Sequence, residues 1–236
     1  MSKFNPINRR HLIQYGGGFI GTSLMATVLG TNLINAPVAN AQNKDVTPDE
    51  ALKKLMEGND RFANQRRTNR NQTKERLAEV AESQAPFAAI LGCADSRVPS
   101  EMIFDQGLGD LFVCRVAGNI ATSEEIGSLE FGTMVLGAKV LLVMGHGRCG
   151  AVKATIEGGR FPGQIGRLID GIQVGVERAK QSAGTSKLEN AIKANVLYQV
   201  EKLGKSTVIG ELVDKGQLKV VGAYYDLDTG KVSLLS

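Results

Sequence analysis

Three side chains with metal-ligand chemistry stand where two apolar runs end. Phe87–Gly92 leads into Cys93-Ala-Asp95-Ser-Arg97, and Lys139–Met144 leads into Gly145-His146-Gly-Arg-Cys149-Gly150. Two thiolates and one imidazole are the soft and borderline donors that zinc prefers, and together they leave one tetrahedral position over. An open fourth position marks a catalytic rather than a structural zinc site. A Cys/His pair alone would also suit a metal-free thiol hydrolase, but a second thiol beside that pair would have no task. The helical His-Glu-x-x-His pattern of zinc proteases is absent. Asp95 and Arg97 follow Cys93 on the same loop, so both can face the site. A carboxylate there is either a fourth ligand or an acceptor for a proton at the metal. The arginine would hold it by a charge-assisted pair and keep it off the ion. The same pair on an open surface would be worth little.

Such residues need a rigid edge to stand on. Thr47-Pro48-Asp49-Glu50 carries a cap, a first-turn proline and the acid of a capping box, so a helix starts there. Leu52, Leu55, Met56 and Phe62 then recur at helical spacing. Residues 63–83 are polar and basic with a helical stretch at 74–83, and Arg66, Arg67 and Arg70 read as a solvated arm. Strands are predicted at 87–92, 111–116, 139–144 and, as the last one, 218–225. Helices are predicted over 124–136, 164–183, 187–203 and 208–215, with a turn at Asp228-Thr-Gly230. Continuous apolar strands separated by helices predict an α/β fold: a doubly wound sheet, its central strands mainly parallel, flanked by helices and preceded by a helical arm. Chemistry in such sheets collects at the carboxyl edge. No Gly-x-Gly-x-x-Gly leads from a strand into a helix at the place a dinucleotide would need.

The chain of 236 residues, 42% hydrophobic and 22% charged, is long enough to bury one real core and excludes a disordered chain. Three cysteines in this length exclude a disulfide scaffold. The net charge of +4 comes mostly from residues 1–41, which hold Lys3, Arg9 and Arg10 and no acid; the remainder stands at +1. That near-neutral body offers no electrostatic case for nucleic acid or an anionic membrane. Asn8-Arg9-Arg10-His11-Leu12-Ile13 is a twin-arginine pattern. The apolar run at 15–29 is shorter than the ~20 residues of a bilayer span, and Ala39-Asn40-Ala41 offers a small-x-small cleavage site. Residues 1–41 are therefore expected to be an export signal, and 42–236 the mature domain, with no stable membrane span. Its expected destination is the periplasm, or a thylakoid lumen if the source is cyanobacterial. The twin-arginine route carries folded proteins, which suits a cofactor inserted before export. With His11 removed, His146 is the single histidine of the mature chain.

Taken together, these motifs resemble the β-class carbonic anhydrases. Cys93-Ala-Asp-Ser-Arg97 and His146-Gly-Arg-Cys149-Gly150 are similar to the two zinc motifs of that family. The likeness continues through Asp110–Asn119, Gly127–Phe131 and Gly222–Asp228, over roughly residues 47–234. The resemblance implies one zinc per chain on Cys93, His146 and Cys149, with Asp95 and Arg97 as a catalytic dyad and Asp95 as the fourth ligand of a closed state. It implies that Gln84 orients substrate beside the metal, that Phe112 forms an apolar wall, and that Gly150 permits the close turn behind the second cysteine. It also implies reversible hydration of carbon dioxide to bicarbonate and a proton, and a homodimer or tetramer in which N-terminal helices wrap the partner. Three positions depart from the family pattern. Phe131 replaces a tyrosine of plant-type members. Cys114 replaces an aliphatic residue and reads as a small hydrophobe rather than a ligand. No tryptophan is present for the inhibitory bicarbonate site of some bacterial members, although Arg115 and Tyr225 match other parts of it. Without a second histidine, protons are expected to leave through water, a carboxylate or external buffer. The same fold and metal would also serve a carbonyl sulfide or carbon disulfide hydrolase. The zinc alone would serve a non-catalytic metal protein of the cell envelope, which would have no need of the dyad.

Overall fold

The computed structural model describes residues 46–179 and 187–235; the expected export signal lies outside them. The first helix, α1 (Pro48–Ala63), begins as its sequence predicts. Thr47 Oγ1 accepts from the Glu50 N–H at 3.2 Å, and the Glu50 carboxylate accepts from the Thr47 N–H at 2.8 Å. Its apolar stripe, Ala51 and Leu55, is fully buried against Phe87, Ile90 and Leu142. Truncating Leu55 to alanine would cost about 2–5 kcal/mol.

In chain order there follow α2 (Lys74–Glu82), β1 (Ala88–Gly92), α3 (Ser100–Ile103), β2 (Leu111–Arg115) and α4 (Ser123–Glu130), which runs into a π-helical turn at Phe131–Val135. Then come β3 (Val140–His146), α5 (Gly150–Glu157), α6 (Ile165–Ala179), α7 (Lys187–Gly204), α8 (Thr207–Asp214), β4 (Lys219–Tyr225) and β5 (Val232–Leu235). The sheet order is β2-β1-β3-β4-β5. The first four strands are parallel and β5 is antiparallel to β4. The expected doubly wound α/β architecture is therefore present.

Two expectations need correction. The strand at 219–225 is not the last. A turn closed by Gly230 N–H donating to Asp226 O at 2.9 Å sends the chain back as β5. A four-residue edge strand with mixed burial gives too little pattern to be read from sequence. The third strand also runs past residue 144, through Gly145 and His146, which pair with Tyr224 and Tyr225. His146 thus stands on the ladder itself rather than on a loop.

The two faces of the sheet bury alternate residues, as a pleat requires. Ala88, Ile90, Val140, Leu142 and Met144 join the core under α1. Ala89, Leu91, Leu141 and Val143 join the core with Val196 and Leu203 of α7 and Ile209 of α8. From β1 the chain crosses to β2 on one side, then returns past β1 to β3 on the other. The carboxyl ends of β1 and β3 flank that reversal. A parallel sheet opens a crevice at such a point, because the connecting segments diverge.

Candidate active site

Cys93 immediately follows β1, His146 closes β3, and Cys149 caps α5. Their ligand atoms lie within 4.8 Å of one another, and all three residues are buried. A tetrahedral zinc bonded at about 2.0–2.3 Å needs its ligands about 3.3–3.8 Å apart, so the cluster closes on such an ion with small side-chain adjustments. The imidazole is set for it. His146 Nδ1 lies 2.9 Å from the Gly147 carbonyl, which fixes the N–H on that nitrogen, while the buried Nε2 has no partner. A buried, unpartnered lone pair aimed among two sulfurs fits a metal and little else. Among the described residues this is the one Cys/His-containing cluster of the kind, and Cys114 lies outside it.

The neighbouring Cys149 sulfur pulls the Cys93 thiol well down against the effect of burial, helped by His146 and by the Gly118 N–H, 3.3 Å from Sγ. The neighbouring Cys93 sulfur and burial push Cys149 up, against the N–H groups of Ala151 and Val152 at the start of α5. A divalent cation replaces the Cys149 proton, and both sulfurs can then be thiolates.

Asp95 and Arg97 form the expected pair. Arg97 Nε donates to Asp95 Oδ1 at 2.9 Å and Nη2 donates to Oδ2 at 2.7 Å, while the Arg97 backbone N–H also reaches Oδ1 at 3.0 Å. The Arg97 side chain is the main reason the carboxyl is held far below the usual carboxylate range. Its Oδ2 is 3.8 Å from His146 Nε2, so an anionic oxygen borders the point where the ligand atoms converge.

Of the three other expected site residues, Gln84 and Phe112 are not brought there within one chain, and Gly150 is there without the expected role. Gln84 is exposed and lies just before β1, at the opposite end of that strand from Cys93. Phe112 sits near the start of β2, with its ring so close to Gly132 that a Cβ there would meet it at 2.7 Å. Gly150 directly follows Cys149, but a Cβ there would meet nothing within 4 Å. The turn gets its left-handed residue from Arg148, at φ 54°, whose guanidinium is fixed by two bonds to Asp228 at 2.7 and 2.9 Å. Gly150 is therefore not what permits the turn.

Sequence reasoning also passed over the clamp on the Cys93 loop. Arg115, the last residue of β2, donates from Nε to Cys93 O at 2.9 Å and from Nη2 to Asp95 O at 2.5 Å. One guanidinium thus fixes the backbone carbonyls of both a metal-ligand candidate and the dyad carboxylate. The sign in the sequence was an arginine ending an apolar strand, which a solvated residue explains equally well.

The chain as a whole is similar to known proteins. A family model described as Carbonic anhydrase matches residues 88–232. Carbonic anhydrase 2 of Mycobacterium tuberculosis is 39% identical over 200 residues, covering 80% of this chain and 94% of that protein. The carbonic anhydrase of Mycolicibacterium smegmatis is 36% identical over 194 residues, with the same coverage. The solved β-carbonic anhydrase of Coccomyxa, in complex with acetazolamide, is 30% identical with a TM-score of 0.63, over 78% of this chain and 86% of that one. The match runs from β1 to the first residue of β5 and so takes in both ligand-bearing strand ends together with the loop that carries the dyad. The chain belongs to the β-class carbonic anhydrase family.

Proposed function

We propose that this carbonic anhydrase carries out the reversible hydration of carbon dioxide at the crevice between β1 and β3, with Cys93, His146 and Cys149 holding zinc and Asp95 and Arg97 serving the reaction. The observation that carries the assignment is the doubly held Asp95 carboxylate, 3.8 Å from an unpartnered His146 Nε2. Bound zinc supplies a Lewis acid that makes water a nucleophile near neutral pH. The rest of the work falls to the chain. Arg97 occupies both Asp95 oxygens and keeps the carboxylate anionic, so Asp95 Oδ2 can accept a proton-bearing donor in the crevice and orient it. Arg115 keeps Cys93 and Asp95 in fixed relation through their carbonyls. No second histidine is present outside residues 1–41 to carry the proton away, so it leaves through water, a carboxylate or external buffer.

Gln84 and Phe112 can serve the site only if a second copy brings them, and this supports a homo-oligomer. β2 is one of the two edges of the sheet, and near it Leu108, Phe131 and Met134 are exposed. Mixing inactive Cys93→Ser with inactive Gln84→Ala subunits should restore activity if Gln84 acts across an interface. For residues 1–41, Arg9-Arg10 and Ala39-Asn40-Ala41 support twin-arginine export to the periplasm or a thylakoid lumen, with 42–236 as the mature domain. Replacing both arginines by lysine should hold the protein in the cytoplasm.

The deciding experiment is stopped-flow carbon dioxide hydration by zinc-quantified mature protein beside Asp95→Ala. Fast hydration with about one zinc per chain, lost in the variant, supports the assignment. Full zinc without hydration at any pH would overturn it and direct attention to sulfur analogues of the substrate.

A further inference from the structure

The buried face of α7 holds positions 191, 192, 195, 196, 199 and 203, the stripe of a helix packed on a core. Two of the six are amides. Asn195 and Gln199 are both wholly buried, so each amide must find partners there or carry a desolvation penalty. Their bonds converge on one segment. Asn195 Nδ2 donates to Gly118 O at 2.9 Å, and Gln199 Oε1 accepts from the Ala121 N–H at 2.9 Å. Gln199 Nε2 donates to Asn195 Oδ1 and to Gly171 O, both at 3.1 Å, which ties the pair together and to α6.

The gripped segment is the one that reaches Cys93. Gly118 donates its N–H to Cys93 Sγ at 3.3 Å. To do so it adopts φ 74°, followed by Asn119 at φ 45°, and the Ile172 side chain lies so near that a Cβ at 118 would meet it at 2.4 Å. Two successive left-handed residues persist only where surrounding bonds hold them. The same helix face also touches the other ligand strand. Gly145, the residue before His146, is approached so closely that a Cβ there would meet Val196 at 2.6 Å and Ile192 at 2.9 Å. One face of α7 therefore backs both β3 and the segment behind Cys93.

We propose that Asn195 is a positioning residue for the metal centre: with Gln199 it locks the 118–121 segment so that the Gly118 N–H stays on the Cys93 sulfur and limits how much charge that sulfur gives the metal. The inference rests on Cys93, His146 and Cys149 being the zinc ligands. Outer partners of this kind typically change metal affinity 10–100-fold when removed.

Cobalt-substituted and zinc-loaded mature protein test it without reference to turnover. In Asn195→Ala the thiolate-to-cobalt charge-transfer band should move to longer wavelength, because a sulfur with one hydrogen bond fewer is easier to oxidise. Chelator-driven zinc loss should quicken about tenfold, because release of the 118–121 segment behind Cys93 loosens the ligand loop by more than the stronger sulfur donation tightens it. Asn59→Ala is the control. Asn59 is also a buried amide, but it holds Ile103 O, Gly230 O and the Val232 N–H under α1, so its loss should lower the melting temperature and leave band and zinc loss unchanged. If Asn195→Ala does not fold, Gln199→Met should give the same shifts at smaller size. An unmoved band and unchanged zinc loss in whichever variant folds would overturn the proposal, as would equal shifts in Asn59→Ala. A wild-type cobalt protein with no such band would instead overturn the ligand assignment, and this inference with it.

Discussion

Two of the aspartates that pair with an arginine, Asp105 and Asp95, do opposite things. Asp105 is almost wholly buried and receives Arg61 Nε at 2.6 Å, the Thr68 hydroxyl at 2.9 Å, and the N–H groups of Thr68 and Asn69 at 3.1 Å. Its donors come from α1 and from the loop after it, so the carboxylate ties three separate segments together and has no side left free. Asp95 receives side-chain donors from one residue, Arg97, two positions on, and keeps one oxygen facing the crevice beside His146 Nε2. A saturated carboxylate is a structural knot. A carboxylate held from one side is available for reaction. The count and origin of the donors separate the two roles where residue type and charge state do not.

Alanine at the two positions should pull activity and stability apart. Asp95→Ala should lower carbon dioxide hydration about 10²–10⁴-fold in stopped flow, while zinc content and melting temperature stay close to wild type. Asp105→Ala should leave turnover per folded, zinc-loaded chain nearly unchanged. It should cost about 3–5 kcal/mol in denaturant titration, because Arg61 loses its buried partner and the 68–69 loop its anchor. If the two variants behave alike, the contrast fails.

Acid should sharpen it. Burial pushes the Asp105 carboxyl up, but Arg61 and the donors of Thr68 and Asn69 outweigh it and hold it at about 2, below the ordinary 3.8. A carboxyl depressed on folding adds stability that is fully present above its unfolded value and is lost as pH falls through its folded value. Wild type should therefore lose about 2 kcal/mol relative to Asp105→Asn between pH ~4 and ~2, with the gap constant above that window. A constant gap down to pH ~2 would show that the carboxylate is not held as described.

The smallest effects come from the arginines. Arg97→Lys keeps the charge but loses the fork, so hydration should fall about tenfold with melting temperature within ~1 °C of wild type, since the Arg97 side chain is half exposed. Arg61→Lys should do the reverse, costing about 1 kcal/mol with unchanged kcat.

The same contrast explains what the sequence could reveal. Cys93, His146 and Cys149 were legible because thiols and a lone histidine at strand ends have few other tasks. Asp95 and Arg97 were legible because their partner is two residues away. The start of α1 at Thr47–Glu50 was legible for the same reason of short range. Asp105 was not, since its bonds reach 36 to 44 residues along the chain. Neither were Asn195 and Gln199, polar residues that a helical pattern assigns to solvent until Gly118 and Ala121 are known to lie beneath them. Gln84 and Phe112 were placed by family likeness, which aligns positions but does not say which copy of the chain supplies them.

Placing the ligands on two strands that are neighbours in space but separated in sequence by a complete crossover has a kinetic consequence. Cys93 and His146 meet only after β2 and α4 have been laid down and β3 has docked beside β1. Non-local pairing of this kind comes late, because loop closure must precede the contacts that reward it. The cation site is thus a property of the nearly finished fold, absent from the unfolded ensemble. An ion that binds only the folded form shifts the equilibrium toward it by mass action, by about 2.7 kcal/mol at a hundredfold excess over its Kd. Scarcity of the metal would then be felt first as a fall in the amount of folded chain that survives proteolysis, and only second as a fall in turnover.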